Sequence, residues 1–445
     1  MSLSVYVQGR EVATLEALDS FTSRLIHRED VEAGDFVSLT MPVRREPWDW
    51  DDQLHPVFQM NLPEGYLLQV LQEQFGPHIG GGPMNLLAVI GRNMIGRVQV
   101  APPGARLDEP AKAVDVEALL QGDNSAEAFA DLVREHAASG VSGVVPKFLD
   151  TEESSLDLAD HKKGTRFTHR HIIKGSSPHL PFVSLNEHLC MQVAAKVLPT
   201  AKTEVSRDGQ ALVVHRFDVD ENGQRHWGME DFCALLGLRP ASKYDTTWER
   251  IVRAVYDHVP GTRRAQTLHQ LATILLLTYA LRNADCHAKN LALLYTNRGD
   301  VHLAPTYDML TTAAYSQYAK QPPGIGLAGR KTWDPGRTLQ QSIVKLFGVS
   351  ARTQGQIVEQ ISTAIAEVGP AVRQAMEEYP AFHEIGKRML LAWQEGLAGL
   401  RGKRTYDLGE ADLGESFQRI SDPEPAPAER AVIGRFGLAD IDPMG

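Results

Sequence analysis

The most apolar part of the chain, residues 274–277 followed by 279–281, lies inside a helical pattern over 266–283 that stops at a cluster of polar groups. A membrane span needs about 20 consecutive apolar residues, so this run reads as a helix buried in protein. It ends on Arg282-Asn283-Ala284-Asp285-Cys286-His287-Ala288-Lys289-Asn290 and enters a strand-like run over 291–295. That junction constrains the chain more than any other stretch. A buried helix must hand over, within one loop, to a cluster of ionisable side chains and then to a strand.

The residue types in the loop suit one chemistry. Transfer of a phosphoryl group to a hydroxyl needs a carboxylate to orient the nucleophile and take its proton, and an oxygen ligand for Mg²⁺ beside it. Asp285 and Asn290 have the Asp-x-x-x-x-Asn spacing that supplies both from one loop. Lys289 is placed to offset negative charge that develops on the transferring group. Downstream, a hairpin-like stretch over 292–305 carries the turn Asn297-Arg298-Gly299-Asp300 and leads to Pro305-Thr306-Tyr307-Asp308. Asp308 there is placed as a second Mg²⁺ ligand. By itself the spacing also occurs in solvated loops. The helix before it, the hairpin after it and the second aspartate favour the phosphoryl-transfer reading.

A phosphate site needs more, and candidates lie upstream. In Gly140-Val141-Ser142-Gly143-Val144-Val145-Pro146-Lys147 the two glycines let backbone N–H groups approach phosphate oxygens, although the same text suits an ordinary turn. Lys174 ends the apolar run His171-Ile172-Ile173-Lys174. On a half-buried strand it faces either a cleft or solvent. Glu187, near the start of the next helical pattern, is either the partner of Lys174 or an acid favoured by the helix dipole. His287 has only Cys286 beside it at ligand spacing, which argues against zinc. Cys286 lacks the Cys–His–acid order of a thiol nucleophile and reads as a small loop filler.

The chain of 445 residues has room for two or three domains. Four blocks are expected. Residues 1–125 open with a β-hairpin over 5–13, have helical patterns at 66–75 and 85–90, and return to a strand at 95–100. Residues 126–235 include a helix over 126–138, a polar insertion over 151–165, strands over 167–174 and 211–218, and a helix over 186–198. Residues 236–400 are mostly helical, at 246–257, 266–283, 339–347, 354–368 and 380–400, and 401–445 form a tail rich in Pro and acids. The fold class is α+β and bilobal: a mixed lobe with an added N-terminal strand-rich subdomain, then a helical lobe. A net charge of −11 makes direct contact with DNA or RNA unfavourable. Three separated cysteines exclude a disulfide framework, and the amino terminus lacks a signal core, so a reducing cytoplasm is expected.

At these residues the sequence resembles the HipA family of serine/threonine protein kinases, the toxins of bacterial toxin–antitoxin pairs. The most specific element is Asn283-Ala284-Asp285-Cys286-His287-Ala288-Lys289-Asn290, which resembles the family's D-x-H-x-K-N catalytic loop. Further pieces in family order are Asn61-Leu62-Pro63-Glu64-Gly65, Ile90-Gly91-Arg92, Ser142 to Lys147, Ile172 to Lys174, Asn186-Glu187, Arg216-Phe217-Asp218, Glu230 to Cys233, Lys243-Tyr244 and Pro305 to Asp308. The resemblance implies ATP and Mg²⁺ as cofactors, Asp285 as catalytic base with Lys289 beside it, and Asn290 and Asp308 as metal ligands. It also implies Lys174 on the nucleotide phosphates, with Gly140, Val141, Ser142, Gly143, Lys147, Glu187 and His287 around the nucleotide, and Arg216 and Phe217 near adenine. Family targets include aminoacyl-tRNA synthetases. The usual partner is a small HipB-like helix-turn-helix antitoxin, through which any DNA contact would come. Of the loop serines that the family autophosphorylates, the first position falls here on Gly140 and the second on Ser142, with Ser139 one residue out of register. A small-molecule phosphotransferase and a catalytically silent binding protein of the same fold are the competing readings.

Overall fold

A computed structural model of the chain describes residues 1–62, 82–107, 116–125, 128, 147–154, 166–177 and 179–402. The glycine-rich segment with Ser139, Gly140, Val141, Ser142 and Gly143 lies outside these residues. So do the helix expected over 66–75, all but one residue of that expected over 126–138, and the tail from 403.

The N-terminal hairpin forms as its alternating pattern requires. β1 (Ser2–Val7) and β2 (Arg10–Ala17) are joined through Gln8 and Gly9, both at positive φ, the backbone that matches the twist of a two-residue hairpin. With β3 (Ser23–His27), β4 (Trp48–Trp50) and β5 (Val98–Ala101) they make an antiparallel sheet in the order β4-β3-β2-β1-β5. Leu3, Val5 and Val7 alternate into a core shared with Leu25, Phe58 from α1 (Pro56–Gln59) and Leu87 from α2 (Pro83–Ile90).

A short helix, α3 (Val116–Gln121), precedes the second sheet, β6 (Lys147–Ser154), β7 (Arg166–Gly175), β8 (Thr203–Val205) and β9 (Ala211–His215) in the order β6-β7-β9-β8. Two expectations are corrected here. Residues 151–154, read as the start of a polar insertion, continue β6, with Glu152 opposite Thr168 and Ser154 opposite Arg166. Backbone pairing does not depend on side-chain polarity, and β6 is an edge strand, where charged residues are favoured. The strand expected over 211–218 stops at His215, because Arg216 and Asp218 turn into a buried ion pair with each other. Helix α4 (Val183–Ala195) packs against this sheet.

The third sheet is small: β10 (Gly228–Asp231), β11 (Ala292–Tyr295) and β12 (His302–Leu303), in that order. Around it lie α5 (Phe232–Leu235), α6 (Trp248–His258), α7 (Gly261–Leu281), α8 (Arg337–Phe347), α9 (Ala351–Glu378) and α10 (His383–Leu400). Helix α7 is the axis of this region. Every residue from Leu271 to Leu281 is buried, and α6, α8, α9 and α10 all pack on it. At Gly396 of α10 a side chain would bring Cβ to 2.3 Å from the Ala280 carbonyl oxygen, so glycine alone allows this approach at the end of α7. Helix α9 runs ten residues past the expected end at 368 and passes through Pro370. Packing on α7 and α10 outweighs the local cost of proline.

The N-terminal sheet is tied to the rest by buried polar groups. Glu230 accepts from Ser38 Oγ at 2.6 Å, Leu39 N at 2.7 Å and Tyr295 Oη at 2.6 Å. The Arg97 guanidinium donates to the carbonyl oxygens of Thr296 and Phe36 and lies over the Phe36 ring. Gly96 N donates to Asp218 Oδ2 at 2.6 Å, while Asp218 is held by Arg216. Among the described residues no helix is long and apolar enough to cross a membrane.

Candidate active site

The site assembles where the second and third sheets meet the end of α7. Lys174 is one residue from the end of β7, an inner strand, with Leu212 of β9 and the backbone of Lys147 of β6 as its neighbours. Ile173, which alternation sends to the opposite face, is fully buried. The Lys174 ammonium therefore turns into the cleft. Its Nζ donates to Glu187 Oε1 at 2.7 Å and to Asp308 Oδ1. Burial alone would lower the pKa of this lysine. The carboxylates of Asp308 and Glu187 override that and hold it above the usual lysine value.

Glu187 reaches Lys174 because the start of α4 is anchored: Ser184 N donates to Ser176 Oγ at 3.3 Å and Ser184 Oγ to the Gln210 carbonyl at 2.9 Å. The neighbouring Asn186 fixes the other partner. Its Nδ2 donates to the Thr311 carbonyl at 3.0 Å and its Oδ1 accepts from Thr311 N at 2.9 Å. One helix thus positions both Glu187 and the segment that carries Asp308. Asp308 is in the left-handed region at φ 60, a conformation in which aspartate is enriched and which recurs at functional sites.

The loop after α7 supplies the second half. The helix ends with Arg282 at φ 54, which turns the chain, and Asn283 N bonds back to the Thr278 carbonyl at 3.0 Å. Asn283 Oδ1 accepts from Asp285 N at 3.0 Å, and Asn290 Nδ2 donates to the Asp285 carbonyl at 2.9 Å. The loop is therefore closed on itself, and the Asn290 amide is left with Oδ1 as its acceptor end. Tyr307 Oη donates to the Lys289 carbonyl at 2.8 Å, so the segment bearing Asp308 is tied to the loop bearing Asp285. Asp285 Oδ1 accepts from the Tyr244 hydroxyl, and His287 Nε2 lies 3.9 Å from it. Burial pushes the Asp285 carboxyl up to about 6; the Tyr244 hydrogen bond pulls it down and the Asp308 charge pushes it further up. A carboxylate so tuned is still ionised at neutral pH but is a better base than an ordinary aspartate. Burial also pushes the Cys286 thiol up to about 12, so it is no thiolate nucleophile.

Lys174, Glu187, Asp285, His287, Lys289, Asn290 and Asp308 line one cavity of about 240 Å³ with Lys243 and Tyr307. Other candidates go elsewhere. The Arg216 side chain is fully buried against Asp218 and is not brought to the cavity. Phe217 packs behind its wall, 5.8 Å from the Tyr307 ring. Among the described residues no three His, Cys, Asp or Glu side chains form a metal cage. The donors that converge, one carboxylate and one amide oxygen, fit a hard cation that takes its remaining ligands from phosphate and water. Sequence reasoning gave no role to Asn186 or Tyr244. Both belong to segments quoted for the family resemblance, but their partners are far off in the chain.

The comparisons with known proteins agree with this arrangement. Residues 3–101 match the HipA N-terminal domain and residues 139–375 the HipA-like C-terminal domain. Two Sinorhizobium fredii proteins, named "Putative kinase Y4mE" and "Putative kinase Y4dM", are 28% and 27% identical over 63% and 58% of this chain. The chain spans 69% of the first and 63% of the second. Among solved structures, HipA from the Shewanella oneidensis HipA, HipB and operator DNA complex matches with a TM-score of 0.63 at 16% identity. That match covers 94% of this chain and 99% of the other, and it bears on fold alone. With both family domains present in order from residue 3 to residue 375, the chain belongs to the HipA family.

Proposed function

We propose that the chain is an ATP- and Mg²⁺-dependent serine/threonine protein kinase acting as a toxin of the HipA type. The observation that carries this reading is the convergence of Lys174, Glu187 and Asp308 with Asp285 and Asn290 in one cleft, from elements more than a hundred residues apart. Lys174, oriented by Glu187, holds the nucleotide phosphates. Asn290 and Asp308 hold Mg²⁺, which when bound would neutralise charge on the phosphates. Asp285 takes the proton of the acceptor hydroxyl, and Lys289 offsets charge on the transferring group. Lys147, whose backbone pairs with that of Lys174, follows in sequence the segment with Gly140, Ser142 and Gly143, to which the family resemblance gives the role of covering the phosphates. Ser142 is its candidate autophosphorylation site, and a phosphate there would add about −1.5 to −2 charges where the nucleotide phosphates sit.

The target is a protein, with an aminoacyl-tRNA synthetase as the family precedent. The partner is a HipB-like helix-turn-helix antitoxin, and the net charge of −11 leaves any DNA contact to that partner. The reading is tested by expressing the full chain without a partner. Growth arrest that Asp285→Asn abolishes is expected, together with ADP production by the purified protein. Normal growth alongside measurable ADP production would remove the toxin role, and absence of both would remove the whole reading.

A further inference from the structure

We infer that Tyr244 is a gate on the catalytic carboxylate, its phenol hydroxyl occupying the position that the acceptor's hydroxyl must take on Asp285. The inference rests on the kinase reading and adds the control of acceptor entry to it. The Tyr244 hydroxyl donates to Asp285 Oδ1. An acceptor hydroxyl must donate to this same carboxylate before its proton can be removed. Tyrosine and acceptor therefore compete for one base.

The surroundings restrict how the competition is resolved. The Tyr244 carbonyl accepts from Lys331 Nζ at 2.6 Å, and the preceding Lys243 carbonyl accepts from Ala288 N at 3.1 Å. The backbone is thereby pinned to the catalytic loop on one side and to the 331 segment on the other, so release must come from the side-chain torsions. Tyr244 is 36% exposed and its ring meets His287 edge-on at 5.0 Å, a contact that rotation about χ1 can give up. Space for it exists. Tyr244 lines a second cavity, of about 450 Å³, with Ala284, Tyr315, Tyr318, Pro322 and Lys331. Among the described residues, that cavity and the one around Lys174 share only Leu180, Asp285 and Leu310. Asp285 therefore stands between a nucleotide side and an acceptor side, and Tyr244 belongs to the acceptor side alone. The floor of that side is fixed: at Gly324 a Cβ would lie 2.4 Å from the Cys286 carbonyl oxygen.

A hydroxyl parked on the base also keeps water from using it, which limits idle hydrolysis of the nucleotide. An arriving acceptor displaces the phenol into the 450 Å³ cavity. Its own hydroxyl then donates to Asp285, loses that proton as the new O–P bond forms, and the bond from phosphorus to the leaving ADP oxygen breaks.

Tyr244→Phe keeps the ring and removes only the hydroxyl, so the fold is retained, as the thermal midpoint checks. The test uses the full chain with labelled ATP and Mg²⁺, with myelin basic protein and dephosphorylated casein as acceptor probes, and with water as acceptor in a parallel ADP assay. The expected result is a rise of about tenfold in kcat/KM for protein acceptor and in ATP hydrolysis, the lower end of what a hydrogen bond to a charged group is worth. The KM for ATP stays unchanged. A variant equal to or slower than an active wild type would make Tyr244 a positioning residue and overturn the gate while leaving the kinase reading intact. Phosphate recovered on Tyr244 would make it a substrate and also overturn the gate. Silence of both proteins in both assays would overturn the kinase reading, and the gate with it.

Discussion

Replacing Asp285 by asparagine should stabilise the protein at neutral pH while removing its activity. The Asp285 carboxyl is pushed from 3.8 to about 6, chiefly by burial, with the negative charge of Asp308 adding to it. The folded protein therefore binds this proton more tightly than the unfolded chain does. Between pH 3.8 and about 6 the native state holds more protons, so stability falls as pH rises through that window. Below the window the carboxyl is neutral in both states and costs nothing. Above it the cost is complete, at about 3 kcal/mol for a rise of this size. Because 39% of the side chain faces the open cleft, solvent screening reduces this to about 1–2 kcal/mol. Asparagine is nearly isosteric, does not titrate, and its Oδ1 still accepts the Tyr244 hydroxyl. The thermal midpoint of Asp285→Asn should exceed that of the wild type by about 1–2 °C at pH 8, and the gap should close toward pH 4. Scanning calorimetry of both proteins across that range measures it. A variant no more stable than wild type at pH 8, or equally stabilised at pH 4 and pH 8, would refute the reasoning.

Asp285→Asn and Asp308→Asn should each lower phosphoryl transfer by about 10² or more with the circular dichroism spectrum unchanged; a variant that keeps more than roughly a tenth of wild-type turnover would remove the assigned role. ATP with Mg²⁺ should raise the thermal midpoint, by about 2.7 kcal/mol of stabilisation at a hundredfold excess over its dissociation constant. Lys174→Ala should weaken that shift, and an unchanged shift would take Lys174 off the phosphates. Asp218→Asn should destabilise the protein by about 3 kcal/mol, because it leaves the buried Arg216 guanidinium uncompensated. A urea titration in which its midpoint matches wild type would show that the pair does not hold the N-terminal sheet in place. Peptide mass spectrometry after incubation with ATP should find phosphate on Ser142; its absence from the loop would end the self-modification proposal and leave the kinase reading standing.

The loop from Arg282 to Asn290 was legible because its geometry is local. A helix ending at Leu281, a turn at Arg282 and a strand beginning at Ala292 fix where Asp285 and Asn290 lie relative to each other, and a short hairpin fixes Asp308. Lys174 was half legible. Alternation placed it opposite Ile173 but could not say which face of the sheet met the cleft, since that depends on α4 and the segment at Asp308. Tyr244 and Asn186 were legible only as members of family segments without a role of their own, because each acts through a partner 41 or 125 residues away. Arg216 was placed near adenine by the family resemblance alone; its ion pair with Asp218 serves the seam to Gly96, which no local pattern reveals. The polar text of 151–154 hid an edge strand for a related reason: strand pairing is made by backbone groups.

The central claim is that this cleft moves a phosphoryl group from ATP to a protein hydroxyl, with Asp285 as the base. The most direct measurement is incubation of the purified full chain with γ-labelled ATP, Mg²⁺ and a bacterial lysate, with Asp285→Asn run in parallel, followed by phosphoamino-acid analysis of the labelled proteins. The account predicts label on serine or threonine of one or a few proteins with the wild type and none above background with the variant. Label that persists in Asp285→Asn, or no protein label from a wild type that binds ATP, would contradict it.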